Sequence, residues 1–189
     1  MPADDLRSAL IASARAELAE HGSAALSLRA VARRAGVSHA APAYHFTDKA
    51  GLLTAVAAEG FRELAAAMEA PVADAGPAVA ELGRRYITFA RENPALYELM
   101  FRPGDLRAGD AELAAAQAAS LARLAAAAGS EAGQINNVAI ASWAFAHGVA
   151  SLAHQGALAA LRPGQDNETV ADNLVGTFGA LLPPTATKP

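Results

Sequence analysis

The sequence contains no cysteine and few aromatic residues, and each of these features excludes some classes of protein. Without cysteine, the 189-residue chain has neither a disulfide scaffold nor a thiolate metal site. Aromatic residues make up 5% of the chain, whereas apolar residues reach 53% through abundant alanine. Alanine is the strongest helix former and the β-branched residues are scattered, so the composition predicts an all-α protein. The acidic N-terminus MPADDLRSAL lacks the basic and then apolar layout of a signal peptide, which favours a cytoplasmic protein.

Charged side chains are absent from residues 132–161, a run of 30 residues. A run of that length could span a bilayer, but this one is built on alanine and carries asparagine, glutamine and histidine, which disfavours a membrane span. A helix that is apolar all round is otherwise buried in a core or in an oligomer interface. We therefore expect a long helix over residues 134–161 and a final helix over residues 167–182 to pack in this way.

Residues 27–49 are typical of two short helices that meet at a tight corner. Ser27 is a good N-cap, and apolar positions recur behind it at helical spacing: Leu28, Val31, Ala32 and Ala35. Gly36 ends this helix because glycine adopts a left-handed conformation without a steric penalty. Ser38 is then expected to cap a second helix over residues 39–46, and Thr47 to cap a third helix that begins at Asp48. This is the helix-turn-helix pattern, whose second helix enters the DNA major groove.

Pro42 is the awkward residue in this interpretation. With Ser38 as the cap, Pro42 would be the fourth helical residue, where its missing N–H costs one hydrogen bond and its ring restricts Ala41. An ordinary helical hairpin with a basic face is the alternative, since such corners also occur in proteins that do not bind DNA.

The net charge of −4 is unevenly distributed along the chain. Residues 27–49 contain one acidic side chain, Asp48, and four basic ones: Arg29, Arg33, Arg34 and Lys49. The net charge of this segment is therefore +3, and the rest of the chain carries −7. A basic patch on an acidic body suits a protein that docks on nucleic acid by one end. Binding through several phosphate contacts would depend strongly on salt.

Candidate DNA contacts follow from the position of each residue around the corner. Side chains of the second helix are candidates to face base edges, with the methyl groups of Ala40 and Ala41 against thymine methyls. Polar groups near helix starts are expected to bind phosphate. The full set is Ser27, Arg29, Ser38, His39, Ala40, Ala41, Ala43, Tyr44, His45 and Lys49.

The run LRAVARRAGVSHAAPAYHFTDKAGLLTAVA, residues 28–57, resembles the DNA-binding head of the TetR family of bacterial transcriptional regulators. This family usually has tyrosine where the present chain has Ala43, with Tyr44 one place later. The resemblance implies a homodimer that binds a palindromic operator in double-stranded DNA. It also implies a dimer interface built from the last two long helices, for which we select these positions: Trp143, Ser151, His154, Leu158, Leu174 and Phe178.

The C-terminal part resembles a subclass with a Trp…His-Gly signature, through residues 142–148 and the short helical segment of residues 94–101. Such domains commonly bind a small-molecule inducer between their helices. Aromatic and methionine side chains are the candidates to line such a pocket. They are Phe61, Met68, Tyr86, Phe89, Tyr97, Met100, Phe101, Trp143 and His147.

An enzymatic or metal-dependent function is disfavoured by the spacing of the polar residues. His147 and His154 share a helix face, but seven residues separate them by about 10.5 Å along an α-helix, too far to ligate one ion. No acid accompanies Ser151 and these histidines in a catalytic triad. We therefore expect no catalytic site, no metal and no cofactor.

The sequence thus predicts an all-α regulator in three parts. A three-helix head over residues 1–50 is joined by a long helix, 48–70, to a ligand-binding and dimerisation domain over residues 51–182, and a disordered tail follows over residues 183–189. The expected function is that of a repressor released from its operator by a small molecule. A helical small-molecule-binding protein without a specific DNA function is the alternative.

Overall fold

The computed structural model describes residues 3–69 and 75–182, and in this part of the chain the predicted all-α fold is confirmed. The helices are α1 (Ala3–Ala25), α2 (Leu28–Ala35), α3 (Ala41–Phe46), α4 (Lys49–Ala67), α5 (Ala75–Glu92), α6 (Pro94–Met100), α7 (Ala111–Ala127), α8 (Asn137–His154), α9 (Ala157–Leu161) and α10 (Asn167–Leu181). A short 3₁₀ turn, Pro103–Asp105, lies between α6 and α7. The tail predicted to be disordered lies outside the described residues.

The chain divides into two compact units. The head unit comprises residues 3–62 and 93–117, and the C-terminal unit comprises the described residues of 63–92 and 118–182. In the head unit, α6 packs against α1. Gly60 permits a close approach of α4 to α6, since a Cβ there would lie 2.7 Å from the Met100 sulfur and 3.0 Å from a Leu96 methyl.

The corner between α2 and α3 has the geometry that the sequence predicts. The Ser27 hydroxyl accepts a hydrogen bond from the Ala30 N–H at 3.2 Å and caps α2. Gly36 is left-handed, with φ 68° and ψ 30°, and the Val37 N–H reaches back to the Ala32 carbonyl at 3.0 Å. This is the hydrogen-bonding pattern of a glycine C-cap, which turns the chain sharply at the end of a helix.

The start of α3 differs from the prediction that Ser38 caps a helix over residues 39–46. The N-cap is Ala40, which has helical backbone angles and makes no side-chain capping bond. Ser38 contributes its carbonyl, which accepts a hydrogen bond from the Ala41 N–H at 3.1 Å. The later start places Pro42 in the first helical turn, where a missing N–H leaves no bond unmade, so the predicted cost is avoided.

The turn between α3 and α4 also corrects the prediction that Thr47 caps the next helix. Thr47 has φ 70° and ψ −56°, and the Asp48 N–H bonds to the Phe46 carbonyl at 2.8 Å, which is a tight three-residue turn. Asp48 is the cap, because its carboxylate accepts from the Gly51 N–H at 2.8 Å. Thr47 instead provides a positive φ, which is costly for a β-branched residue.

The charge-free segment is divided into two helices, so the single predicted helix over residues 134–161 is wrong. α8 begins after Asn136, whose side chain accepts from the Ala139 N–H at 2.8 Å, and it ends at His154. Gly156 has φ 73° and starts the short α9. A left-handed glycine cannot continue an α-helix, which explains the break.

The C-terminal unit is built from α5, α8 and α10, which pack on one another, with α9 against the latter two. One core cluster joins Val79 to the end of α7 and the start of α8. A second cluster joins the end of α8 to the later helices through Val149, Leu158, Val170 and Ala171. None of the described helices has the length and continuous apolarity that crossing a bilayer would need.

Candidate nucleic-acid interface

One side of α3 is packed into the head unit and the other faces solvent. Pro42 and Phe46, four residues apart, are buried, and the Arg7 guanidinium lies over the Phe46 ring at 5.5 Å. The residues of the opposite side are all exposed and follow the i, i+3, i+4, i+7 spacing of a helix surface. We call this surface the recognition face, and it consists of Ala40, Ala43, Tyr44 and Thr47.

Tyr44 is the most prominent side chain of the recognition face. It is 87% exposed and stands edge-on to the His45 ring, with 5.4 Å between the ring centroids. His45 in turn lies 6.1 Å from the ring of buried Phe46. Tyr44 is therefore almost fully exposed and has an aromatic contact with His45.

The remaining candidate residues of α3 divide between the two sides. Ala41 and His45 are half-buried and lie on the flanks of the recognition face, whereas Ser38 and His39, just before α3, are exposed. Ala41 is therefore a poorer candidate for a base contact than Ala43, although the sequence predicts Ala40 and Ala41 as the residues that contact thymine methyls. The spacing of the buried Pro42 and Phe46 would have given this division once the start of α3 was known.

The arginines of α2 have different environments. Arg29 and Arg33 are exposed, and neither pairs with a carboxylate in the described part of the chain. Arg34 instead donates from Nε to buried Glu17 at 2.7 Å and from its terminal nitrogens to Glu20. The hydrogen bonds to Glu20 and Glu17 raise the pKa of Arg34, and the bond from Arg34 lowers the pKa of Glu20.

Arg34 therefore fastens α2 to α1, while Arg29 and Arg33 are available to a ligand. The sequence identifies Arg33 only as part of the positive charge of residues 27–49 and does not predict it as a DNA contact. Its exposure on α2, which packs against α3, adds it to the candidate contacts. The different roles of Arg33 and Arg34 could not be predicted from the sequence, because the acids that bind Arg34 are in a different helix, α1.

Lys49 lies at the start of α4 and is half-buried. Its ammonium donates to the carbonyl of Ala24, near the end of α1, at 3.1 Å. An ammonium carries three donors, so two remain for a phosphate oxygen.

Replacing Lys49 with alanine is expected to weaken binding to all duplexes about equally and to reduce the salt slope of binding by about one unit, because one phosphate contact is lost. A salt titration of fluorescence anisotropy measures the slope. Arg162→Ala, which removes an exposed cation of the C-terminal unit, is the matched control and should leave the slope unchanged. A parental slope in Lys49→Ala would exclude Lys49 as an anchor.

A loop far along the chain supports the start of α4. The backbone N–H of Arg107 donates to the Thr54 hydroxyl at 2.8 Å, and the Arg107 guanidinium donates to Asp48 at 2.9 Å. The hydrogen bond from Gly51 and, after it, the one from Arg107 lower the pKa of Asp48. The Asp48 carboxylate, which caps α4, thus stays ionised. The spacing of residues in the sequence does not predict its contact with Arg107.

The candidate pocket residues fall into two groups, one in each unit. In the head unit, the Phe101 ring lies 5.4 Å from Phe61 and 5.0 Å from Tyr97, and Met100 is buried. The C-terminal unit holds the other five: Met68, Tyr86, Phe89, Trp143 and His147.

Tyr86, Trp143 and His147 form a polar aromatic cluster in the C-terminal unit, with Trp143 at its exposed edge. The Tyr86 hydroxyl lies 2.9 Å from Nδ1 of His147, and the Trp143 ring centroid lies 5.7 Å from that of His147. Burial lowers the pKa of His147, so its imidazole is neutral near pH 7. The cluster therefore combines a Tyr86–His147 hydrogen bond with the neighbouring Trp143 ring. Among the described residues, no three histidine or carboxylate side chains are grouped to hold a metal ion.

The candidate dimer residues are also unevenly placed. Trp143 is 38% exposed and His154 is exposed, with Ser151 and Leu174 half-buried. Leu158 is 1% exposed and belongs to the core of its own unit, so it offers no surface to a partner. The half-buried Phe178 stacks on Phe145 at 4.3 Å. Two further apolar residues of α8, Ile140 and Leu152, are exposed.

Two family models together match most of the chain. Residues 10–56 match the model for bacterial regulatory proteins of the tetR family, and residues 79–178 match the model for the tetracyclin repressor-like C-terminal domain. Membership of the Trp-His-Gly subclass stays a prediction. The search of curated proteins found no match.

Solved structures share the fold over nearly the whole chain. A protein of unknown function from Rhodococcus sp. RHA1 is 33% identical, with 93% of this chain and 94% of that one covered and a TM-score of 0.75. The multidrug binding protein EbrR, solved in complex with imidazole, is 25% identical over 99% and 94% of the chains, with a TM-score of 0.62. PfmR, a TetR family transcriptional regulator from Thermus thermophilus, is 21% identical over 92% and 98%, with a TM-score of 0.61. With family models matching residues 10–56 and 79–178, the chain belongs to the TetR family of bacterial transcriptional regulators, which bind DNA.

Proposed function

We propose that this protein is a cytoplasmic, homodimeric repressor that leaves a palindromic operator when a small molecule binds. The observation that carries the DNA-binding part is the exposed recognition face beside two arginines, Arg29 and Arg33, that pair with no acid among the described residues. A helix surface of this kind can enter the major groove, while the cations on the preceding helix meet the flanking phosphates.

The distribution of charge supports this mode of docking. Asp48 is engaged by Arg107, and the acids nearest the corner in α1, Glu17 and Glu20, are engaged by Arg34. Arg29 and Arg33 thus face solvent without a competing carboxylate in the described part of the chain. Positive charge concentrated in this way outweighs the overall charge of −4 at short range, because salt screens charges more than about 8–10 Å away.

Dimerisation would allow two recognition helices to occupy successive major grooves. In a twofold dimer on B-DNA, their separation is about 34–36 Å. We propose that the dimer surface is formed by the exposed side of α8 with α10. Support comes from Ile140, Trp143 and Leu152 on α8 and Leu181 at the end of α10, which are large apolar side chains left exposed in the single chain.

For the ligand, we propose a small organic molecule that binds in the C-terminal unit at the cluster of Tyr86, Trp143 and His147. These side chains combine an aromatic surface with hydrogen-bonding groups, which is the usual composition of a small-molecule site. The multidrug binding protein EbrR, which shares the fold, was solved in complex with imidazole, a small aromatic molecule. Release from DNA requires that the ligand bind more tightly to the dimer in its DNA-incompetent conformation.

An electrophoretic shift with the upstream region of the protein's own gene tests the regulatory function. We expect a discrete complex that survives excess random-sequence competitor and contains two chains per duplex. Selection of bound fragments from random duplexes should return a sequence with twofold symmetry. If no duplex competes better than random DNA, the repressor proposal fails, and a helical small-molecule-binding protein becomes the better description.

Trp143→Ala is expected to weaken the dimer or the response to ligand, because it removes the largest side chain of α8 from an exposed position next to His147. Sedimentation velocity across a concentration series measures the dimer, and ligand-induced release of labelled operator measures the response. Leu161→Ala, at an exposed position of α9, is the matched control and should change neither. Parental behaviour of Trp143→Ala in both measurements would exclude the assignment.

A further inference from the structure

The recognition face is unusual in the chemistry that it offers to bases. Residues 38–47 contain no arginine, lysine, asparagine, glutamine or acid. Arginine and lysine form hydrogen bonds with guanine, asparagine and glutamine form them with adenine, and acidic side chains accept a hydrogen bond from cytosine. The recognition face presents instead two alanine methyl groups, the Tyr44 ring and the Thr47 side chain.

Alanine methyls distinguish one feature of a base edge well, the C5-methyl group of thymine in the major groove. Ala40 and Ala43 are three residues apart, which is about 4.5 Å along a helix axis and close to the rise of one base pair, about 3.4 Å. Both alanines are exposed. Two thymine methyls on neighbouring base pairs can therefore meet these two residues.

We propose that the protein reads its operator through thymine C5-methyl groups, with Ala40 and Ala43 as the specificity-determining residues and Tyr44 enclosing the contact. This inference rests on the proposed DNA-binding function and names the feature of the DNA that is read. His39, exposed just before α3, is the competing reader, because its ring N–H can donate to guanine.

Replacement of thymine by deoxyuridine tests the inference without altering the protein. The operator is first selected from random duplexes, and each thymine of a half-site is then replaced singly, which removes the methyl and leaves every hydrogen-bonding group in place. We expect affinity to fall about three- to tenfold at two neighbouring positions, in line with the loss of one buried methyl group at each. Equal affinity for thymine and uracil throughout the half-site would overturn methyl readout.

Protein variants then assign the contact to residues. Ala43→Gly should reduce the preference for thymine over uracil to less than about twofold at one of the two positions and leave the preference at the other position unchanged. Ala40→Gly should have the same effect with the two positions exchanged. Ala12→Gly, at an exposed position of α1, controls for the general cost of glycine in a helix and should keep both preferences. His39→Ala should also keep both, and a thymine preference unaffected by either alanine variant would overturn the residue assignment.

The two levels of the proposal fail differently. If selection enriches no sequence, the proposed DNA-binding function itself is wrong. If it enriches a symmetric sequence whose guanines lose their effect in His39→Ala while uracil is tolerated, the function stands and methyl readout is wrong.

Discussion

Gly51→Ala is expected to destabilise the head unit by about 2–4 kcal/mol and to abolish specific DNA binding. A Cβ at this position would lie 2.1 Å from the Phe46 carbonyl oxygen, which is backbone and already accepts the Asp48 N–H. The chain can relieve the overlap only by opening the turn after the recognition helix. Urea unfolding followed by circular dichroism measures the stability, and anisotropy with labelled operator measures binding.

Helix propensity alone predicts that this substitution would stabilise the protein. Alanine is better than glycine inside a helix by about 1 kcal/mol, and Gly51 is in the first turn of α4. Gly104→Ala is the matched control, because a Cβ there meets nothing within 4 Å and the backbone angle is ordinary. Gly51→Ala with parental or higher stability would contradict the close approach of α4 to the turn.

The double substitution Arg29→Ala with Arg33→Ala is expected to weaken DNA binding about 10- to 100-fold at about 0.1 M salt and to reduce the salt slope by about two units. Both side chains are exposed and pair with no acid within the described residues, so their removal costs phosphate contacts and little stability. Anisotropy titrations at several salt concentrations measure affinity and slope together.

Arg34→Ala is the informative comparison, because it removes the same side chain from the neighbouring position. Arg34 is held by Glu17 and Glu20, so its loss should lower the midpoint of unfolding and leave the salt slope within about half a unit of the parent. If Arg34→Ala reduced the slope as much as the double variant, the arginines of α2 would not be divided between packing and binding as the structure indicates.

The corner could be predicted from the sequence because its determinants are local. Ser27 and Gly36 act on backbone groups within a few residues of themselves, so their capping roles follow from residue type and position. The recognition helix followed from the same reasoning, although its start moved by two residues. The later start of α3 could also have been predicted, because proline is favoured in the first turn of a helix and Pro42 lies there.

Contacts between distant segments could not be predicted in the same way. Arg107 lies 59 residues from Asp48, and no periodicity relates them. The sequence predicts Leu158 in an interface because residues 132–161 carry no charge, but the helix breaks at Gly156 and Leu158 packs in the core of its own unit. The identity of a helix face depends on where the helix begins and ends, and a single left-handed glycine changes both.

Because α6 packs on α1, we expect a head that is transplanted as an N-terminal segment alone to be incomplete. A chimaera that carried only residues 1–56 into another regulator would leave behind Arg107, and with it the partner that grips Asp48. It would also expose the apolar side of α1 that α6 covers. An exchange that also includes residues 93–117 would carry these contacts, so we expect a transferable head to need two separate segments of the chain.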